Sequence, residues 1–201
     1  MVKDFLARAG WMTKVLVIIS TAVSIYTFFG KNPSTYYFAF DWELIKQGQL
    51  HRLITPIFLH FMIAGLPIHL LFNMMWLWDL GGSLEKAKGP WYLLVIVLIV
   101  GVLSNVGQYF SDYMMQGIIG TFHTFGGMSG VVYGLLGFLF MRRKFDPFFP
   151  VRIHDGIMKF MLIWLVLGFT GILGNIANAA HLFGLIVGGV IGFITAKIKA
   201  L

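Results

Sequence analysis

Apolar positions gather into six long runs, set apart by short polar connectors and by one long mixed one. The runs cover about 12–30, 68–84, 91–111, 126–141, 157–174 and 177–196. Each is close to the ~20 residues a helix needs to cross a bilayer. The connector at 31–67 holds Asn32-Pro33, Trp42, Arg52, Pro56 and Pro67, which is too polar and too broken for a span. Its apolar remainder predicts a loop lying partly in the membrane interface. The pattern predicts an all-α polytopic membrane protein: six transmembrane helices, one domain over 1–201, and no internal repeat.

Composition supports that pattern. Of 201 residues, 58% are hydrophobic and 11% charged, more apolar surface than a soluble domain of this size can hide. No small-residue cleavage site follows the first run, so it reads as a retained span. The net charge of +7 lies between apolar runs, which points to membrane topology and away from nucleic acid. Twelve of the 15 basic residues fall on one side: Lys3, Arg8 and Lys14, then Lys86 and Lys88, then Arg142 to Lys144, Arg152 and Lys159, then Lys197 and Lys199. Only Lys31, Lys46 and Arg52 fall on the other. Both termini are therefore predicted cytoplasmic, and the loops at 31–67, 112–125 and 174–177 face outside.

Candidate chemistry begins with FGGMSGVVYG at 125–134. Phe125 to Met141 is 17 residues, about 25 Å of helix against ~30 Å of hydrocarbon. Arg142, Arg143 and Lys144 fix its cytoplasmic end, so Ser129 starts below the outer surface. The 112–125 loop is expected to dip above it and leave a wet hollow, because loop backbone cannot face lipid. In the sixth run His181, Gly184, Gly188 and Gly192 share one helix face. Gly130, Gly134 and Gly137 give the fourth run a matching small-residue face. If these faces meet, His181 reaches Ser129, and Tyr133, one turn below, packs on the imidazole. In the second run His69 and Asn73 stand at i and i+4, two donors on one face. The plainer alternatives stay open at this level. A membrane serine ordinarily bonds its own backbone, a histidine or an asparagine can be interhelical glue, and a glycine stripe is usually packing.

Cysteine is absent, which removes disulfides, thiolate metal sites and a cysteine nucleophile. There is no H-E-x-x-H, no pair of intramembrane aspartates and no second glycine for G-x-S-x-G. No cofactor or metal is expected.

Four motifs occur in order: HxxxN at 69–73, GGxxE at 81–85, GxSGxxYG at 127–134 and AxxAHxxGxxxG at 177–188. On these the chain resembles the rhomboid intramembrane serine proteases, in particular the bacterial six-helix GlpG type, from about Arg52 to Gly192. The resemblance implies a serine endopeptidase that cleaves transmembrane protein substrates within the bilayer through an acyl-enzyme, in a bacterial inner membrane, with no obligate partner. It implies Ser129 as nucleophile and His181 as general base, a dyad without a carboxylate. His69, Asn73 and the Ser129 backbone N–H would form the oxyanion hole. Gly127 would shape the approach to the serine and Tyr133 would orient the imidazole. Glu85 would be structural, and Phe72 and Trp164 would meet at a lateral substrate gate. The alternative is a catalytically inactive rhomboid-like protein that binds membrane clients. Two departures stand out: His51-Arg52 where the family often has Trp-Arg, and IAGLP at 63–67 lengthening the first outer loop. The chain starts almost at its first span, so the cytoplasmic N-terminal domain of some relatives is expected to be absent.

Overall fold

The computed structural model describes residues 7–116, 124–172 and 176–198, and every regular element among them is helical. Helix α1 (Trp11–Tyr26) is followed by two short helices of the first outer loop, α2 (Thr35–Phe38) and α3 (Trp42–Lys46). Two 3₁₀ turns, Leu50–Leu53 and Thr55–Phe58, complete that loop. Helices α4 (Ile68–Trp76) and α5 (Gly82–Lys88) are joined without a break by a π-helical turn, Leu77–Gly81. Then come α6 (Pro90–Gln116), α7 (Ser129–Phe145), α8 (Asp155–Phe169) and α9 (Asn178–Ile198).

Helices occupy all six predicted runs, with several ends shifted by four or five residues, two of which change the picture. Helix α1 stops at Tyr26 because Phe28 and Phe29 turn left-handed, with φ of 48° and 54°. Helix α6 runs on to Gln116, so Asp112 belongs to a helix and the expected outer loop at 112–125 is shorter. What remains of that loop, 117–123, lies outside the described residues, as does 173–175 of the last outer turn. Helices α6 and α9 are each long and apolar enough to cross a membrane. Outward-facing Ile18, Ile163 and Val166 are more than 60% exposed, a surface suited to lipid.

Helix α7 is the centre of the bundle. Every residue from Gly130 to Leu139 is buried. It packs on α9 through the two glycine faces: a Cβ added at Gly184 would strike the Gly130 carbonyl, and one at Gly188 the Gly134 carbonyl. Such backbone-to-backbone approach is what small residues allow between membrane helices.

Helix starts in lipid need their free N–H groups satisfied. Gly10, which precedes α1, has no side chain to do this. Glu85 does it from α5, accepting the Met12 and Thr13 N–H groups at 2.9 Å each and the Thr13 hydroxyl at 2.6 Å. Asp79 pairs with Arg8 nearby.

The first outer loop is built around Arg52, which is buried and donates to the carbonyls of Tyr36 and Ala39 and to Gln49 Oε1. His51 stacks on Tyr37 at 4.9 Å, so a flat ring packs beside Arg52 in this loop. The added residues close as a tight turn. Ile63 and Leu66 exchange both backbone hydrogen bonds at 3.0 Å, with Ala64 and Gly65 left-handed between them. The extra length thus projects outward before α4 begins.

Candidate active site

Ser129 is the first residue of α7 and His181 lies in the first turn of α9. The glycine contact between these helices brings the two together: Ser129 Oγ lies 2.8 Å from His181 Nε2. His181 is buried, whereas Ser129 is half-buried. With Nε2 accepting the serine proton, the imidazole proton sits on Nδ1. Tyr133 stacks on this ring at 4.8 Å and 27°, and its hydroxyl donates to the Met161 carbonyl of α8 at 2.9 Å.

The chain reaches Ser129 through a strained approach. Gly127 has φ of +123°, a conformation only glycine takes easily. A Cβ there would also come within 2.6 Å of His69 Nε2. The glycine is therefore required twice, by backbone and by space. The same proximity places His69 Nε2 over the residues just before the serine. His69 Nδ1 accepts the Phe61 N–H at 3.3 Å, so Nε2 carries the proton and is a donor. Ser129, as first helical residue, presents an N–H that the helix does not use.

Asn73 departs from the expected picture of a free donor. Its Nδ2 gives one hydrogen to the His69 carbonyl at 2.8 Å, leaving one N–H of the amide. Phe72 of α4 and Trp164 of α8 make no ring contact with each other among the described residues. Both are partly exposed, and the ring contact between α4 and α8 is Trp76 with Phe160 at 6.4 Å. Phe160 in turn stacks on Trp164 at 6.0 Å.

Two residues at the site escaped the sequence reading. His60, in the first outer loop, is fully buried, and its Nε2 accepts the Met128 N–H at 3.3 Å. Its Nδ1 then faces the Ser24 hydroxyl and the Phe58 carbonyl, each at 3.2 Å. Burial, and secondarily the His69 ring beside it, hold its pKa down to about 3, so it is neutral. With the Gly127 N–H donating to the Pro56 carbonyl at 3.0 Å, the loop grips both residues ahead of the nucleophile. Gln108 is the second: buried on α6, it accepts the Ala180 N–H at 2.9 Å, one residue before His181. A histidine between Leu59 and Phe61, and a polar face of Ser104, Asn105 and Gln108 on an apolar helix, were the available signals.

Among the described residues no group of three His, Asp or Glu side chains could hold a metal ion. A cavity of about 200 Å³ opens between Lys31, Thr35, Tyr36 and Thr124, in the outer loop and not at the dyad. The arrangement at Ser129 can do nucleophilic chemistry: a hydroxyl beside an imidazole, with N–H donors converging from His69 and the helix start.

Comparison with known proteins points the same way. The family profile for the Rhomboid domain matches residues 47–198. The chain is 34% identical over 189 residues to the Rhomboid protease GlpG of Salmonella choleraesuis (strain SC-B67), and equally to that of Salmonella typhi. The alignment takes in 93% of this chain but 64% of each relative, so the chain spans less than two thirds of their length. With the profile matched from within the first outer loop to the end of α9, the chain belongs to the rhomboid family.

Proposed function

We propose that this chain is an intramembrane serine endopeptidase acting on transmembrane protein substrates through Ser129 and His181. The observation that carries the reading is the 2.8 Å contact between the Ser129 hydroxyl and His181 Nε2. It is supported by the relatives named Rhomboid protease GlpG.

The chemistry follows from the side chains. His181 Nε2 takes the hydroxyl proton as Ser129 Oγ attacks the scissile carbonyl carbon. The oxyanion that forms receives hydrogen bonds from His69 Nε2, the Ser129 N–H and the remaining Asn73 amide N–H. The Tyr133 ring lies on the imidazole and stabilises its cationic form through its π face. Collapse of the tetrahedral species breaks the C–N bond, and His181 passes the proton to the leaving amine. Water then attacks the acyl-enzyme with the same base, restoring Ser129. No cofactor enters.

In this reading the whole chain acts as one membrane domain of six spans in a bacterial inner membrane. Both termini are cytoplasmic and the site opens to the outer side through a wet hollow. The basic residues of the cytoplasmic connectors support that orientation. Substrates enter between α4 and α8, past Phe72, Trp76, Phe160 and Trp164, and present an unwound stretch to Ser129. The presence of both dyad residues in contact argues against an inactive client-binding relative.

The test is cleavage of a reporter membrane protein in liposomes, together with labelling by a fluorophosphonate probe. Wild type cleaves and is labelled, while Ser129→Ala does neither. Equal labelling or cleavage of Ser129→Ala would refute the assignment.

A further inference from the structure

Helix α9 begins at Asn178, so the residue before it, Ala177, has no side chain with which to cap the helix. Asn178 does not serve either: its Nδ2 donates to the Gly168 carbonyl of α8 at 2.6 Å, and its Oδ1 accepts no hydrogen bond among the described residues. The N–H of the third helical residue, Ala180, is one that a cap ordinarily accepts. Here the acceptor comes from another helix: Gln108 Oε1 at 2.9 Å. Gln108 is buried, 6% exposed, and its other amide atom is also engaged. Nε2 donates to Asp112 Oδ1, one turn along α6, at 2.8 Å.

We propose that Asp112 and Gln108 form a positioning relay for the general base, a proposal that rests on the protease reading. An unconstrained glutamine amide can rotate by half a turn and exchange its oxygen and nitrogen. Rotation here would set an NH₂ group against the Ala180 N–H and an oxygen against a carboxylate. Asp112 therefore locks Gln108 with its acceptor toward α9. The lock fixes the height of the first turn of α9, and His181 is the next residue after the one held. His181 must meet Ser129 from a different helix at 2.8 Å, so a small slide of α9 along α7 changes this contact directly. The relay also places a carboxylate beside a helix start, where negative charge is favoured. Asp112 and Gln108 touch neither substrate nor the dyad; they act through the backbone of Ala180.

The test compares Gln108→Leu, Asp112→Leu and Asp112→Asn in the full-length protein. Asn at 112 keeps an oxygen that accepts from Gln108 Nε2 while the Ala180 N–H holds Gln108 Oε1 toward α9, whereas Leu offers no acceptor. Gln108→Leu and Asp112→Leu are expected to lower kcat by about fivefold to tenfold, the size of a lost helix cap, with KM within about twofold. Asp112→Asn is expected to stay within about twofold of wild type in both. Amide hydrogen exchange at Ala180 and His181 gives a readout that needs no cleavage. It accelerates about fivefold or more in the two Leu variants and stays at the wild-type rate in Asp112→Asn. Wild-type exchange in Gln108→Leu overturns the relay whether or not the protein cleaves anything. Equal loss in Asp112→Asn and Asp112→Leu overturns it as well. Failure of wild type to cleave, with exchange behaving as stated, counts against the protease reading and leaves the cap established.

Discussion

The Tyr133 hydroxyl donates to the Met161 carbonyl while the Tyr133 ring lies flat on His181. One side chain thus touches both the imidazole and the middle of α8. Helix α8 buries only Met161, Leu165 and Gly168 among its 15 residues, and this hydrogen bond joins that from Asn178 to the Gly168 carbonyl in tying it to the bundle. Tyr133→Phe keeps the stack and loses the tether. It is expected to slow cleavage of a membrane substrate about fivefold, the worth of one buried hydrogen bond, while fluorophosphonate labelling stays near wild type. Tyr133→Ala loses the stack too, and both rates fall. Identical labelling rates in the Phe and Ala variants would show that the ring contributes nothing to the base.

Asn73 and His69 are joined by the amide-to-carbonyl bond at 2.8 Å, so they do not act independently. Asn73→Ala removes a donor and also loosens the residue whose Nε2 stands over Gly127. Turnover is expected to drop ~10²–10³-fold in Asn73→Ala and in His69→Ala, with KM changed far less. The double variant should lose much less than the product of the two. A cycle of kcat/KM values measures this, and strict additivity would separate the two residues.

How much of this could be read from the sequence depends on periodicity. Where a helix runs straight, spacing alone puts residues on a face: Gly184 with Gly188, Ser129 with Tyr133, His69 with Asn73. The facing of α7 and α9 followed from two glycine rows that only backbone could fill. The first outer loop has no such period. Its path depends on Arg52 collecting carbonyls from Tyr36 and Ala39, and nothing in the local pattern says that this brings His60 under Met128. The end of α6 was misread for a related reason. Asp112 looks like a loop residue, yet Gln108 draws it into the helix by an i to i+4 bond. At the gate, one turn along α4 from Phe72, Trp76 makes the ring contact with Phe160 of α8, a pairing that the sequence reading did not name.

The glycine contact gives a paired prediction within one helix. A Cβ at Gly184 would meet the Gly130 backbone, which can yield only if the helices part. At Gly189 the nearest atom is Met141 Cγ at 3.6 Å, an ordinary contact. Gly184→Ala is expected to destabilise by about 1–3 kcal/mol or more and to abolish cleavage. Gly189→Ala gains helix propensity of up to ~1 kcal/mol and keeps activity. Thermal unfolding in detergent compares them, and equal midpoints would mean that the helices are not held at the distance described.

His60 ties stability to pH. Its folded pKa of about 3 lies below the ~6.5 of an exposed histidine, so at intermediate pH the unfolded chain binds the extra proton. The stability it permits is complete above about pH 6.5 and is lost as pH falls toward about 3. Between pH 7 and pH 5 the loss from this one group is on the order of 2 kcal/mol. His60→Gln cannot titrate, yet its amide oxygen can accept the Met128 N–H in place of Nε2. The variant is expected to start somewhat less stable at pH 7 and to lose less on acidification, so that the two melting curves converge by pH 5. The measurement is the unfolding midpoint of both proteins in one detergent across that range. Parallel lines for wild type and variant would show that His60 is not held neutral in the folded protein, and that the grip of the first outer loop on Met128 does not depend on its deprotonated Nε2.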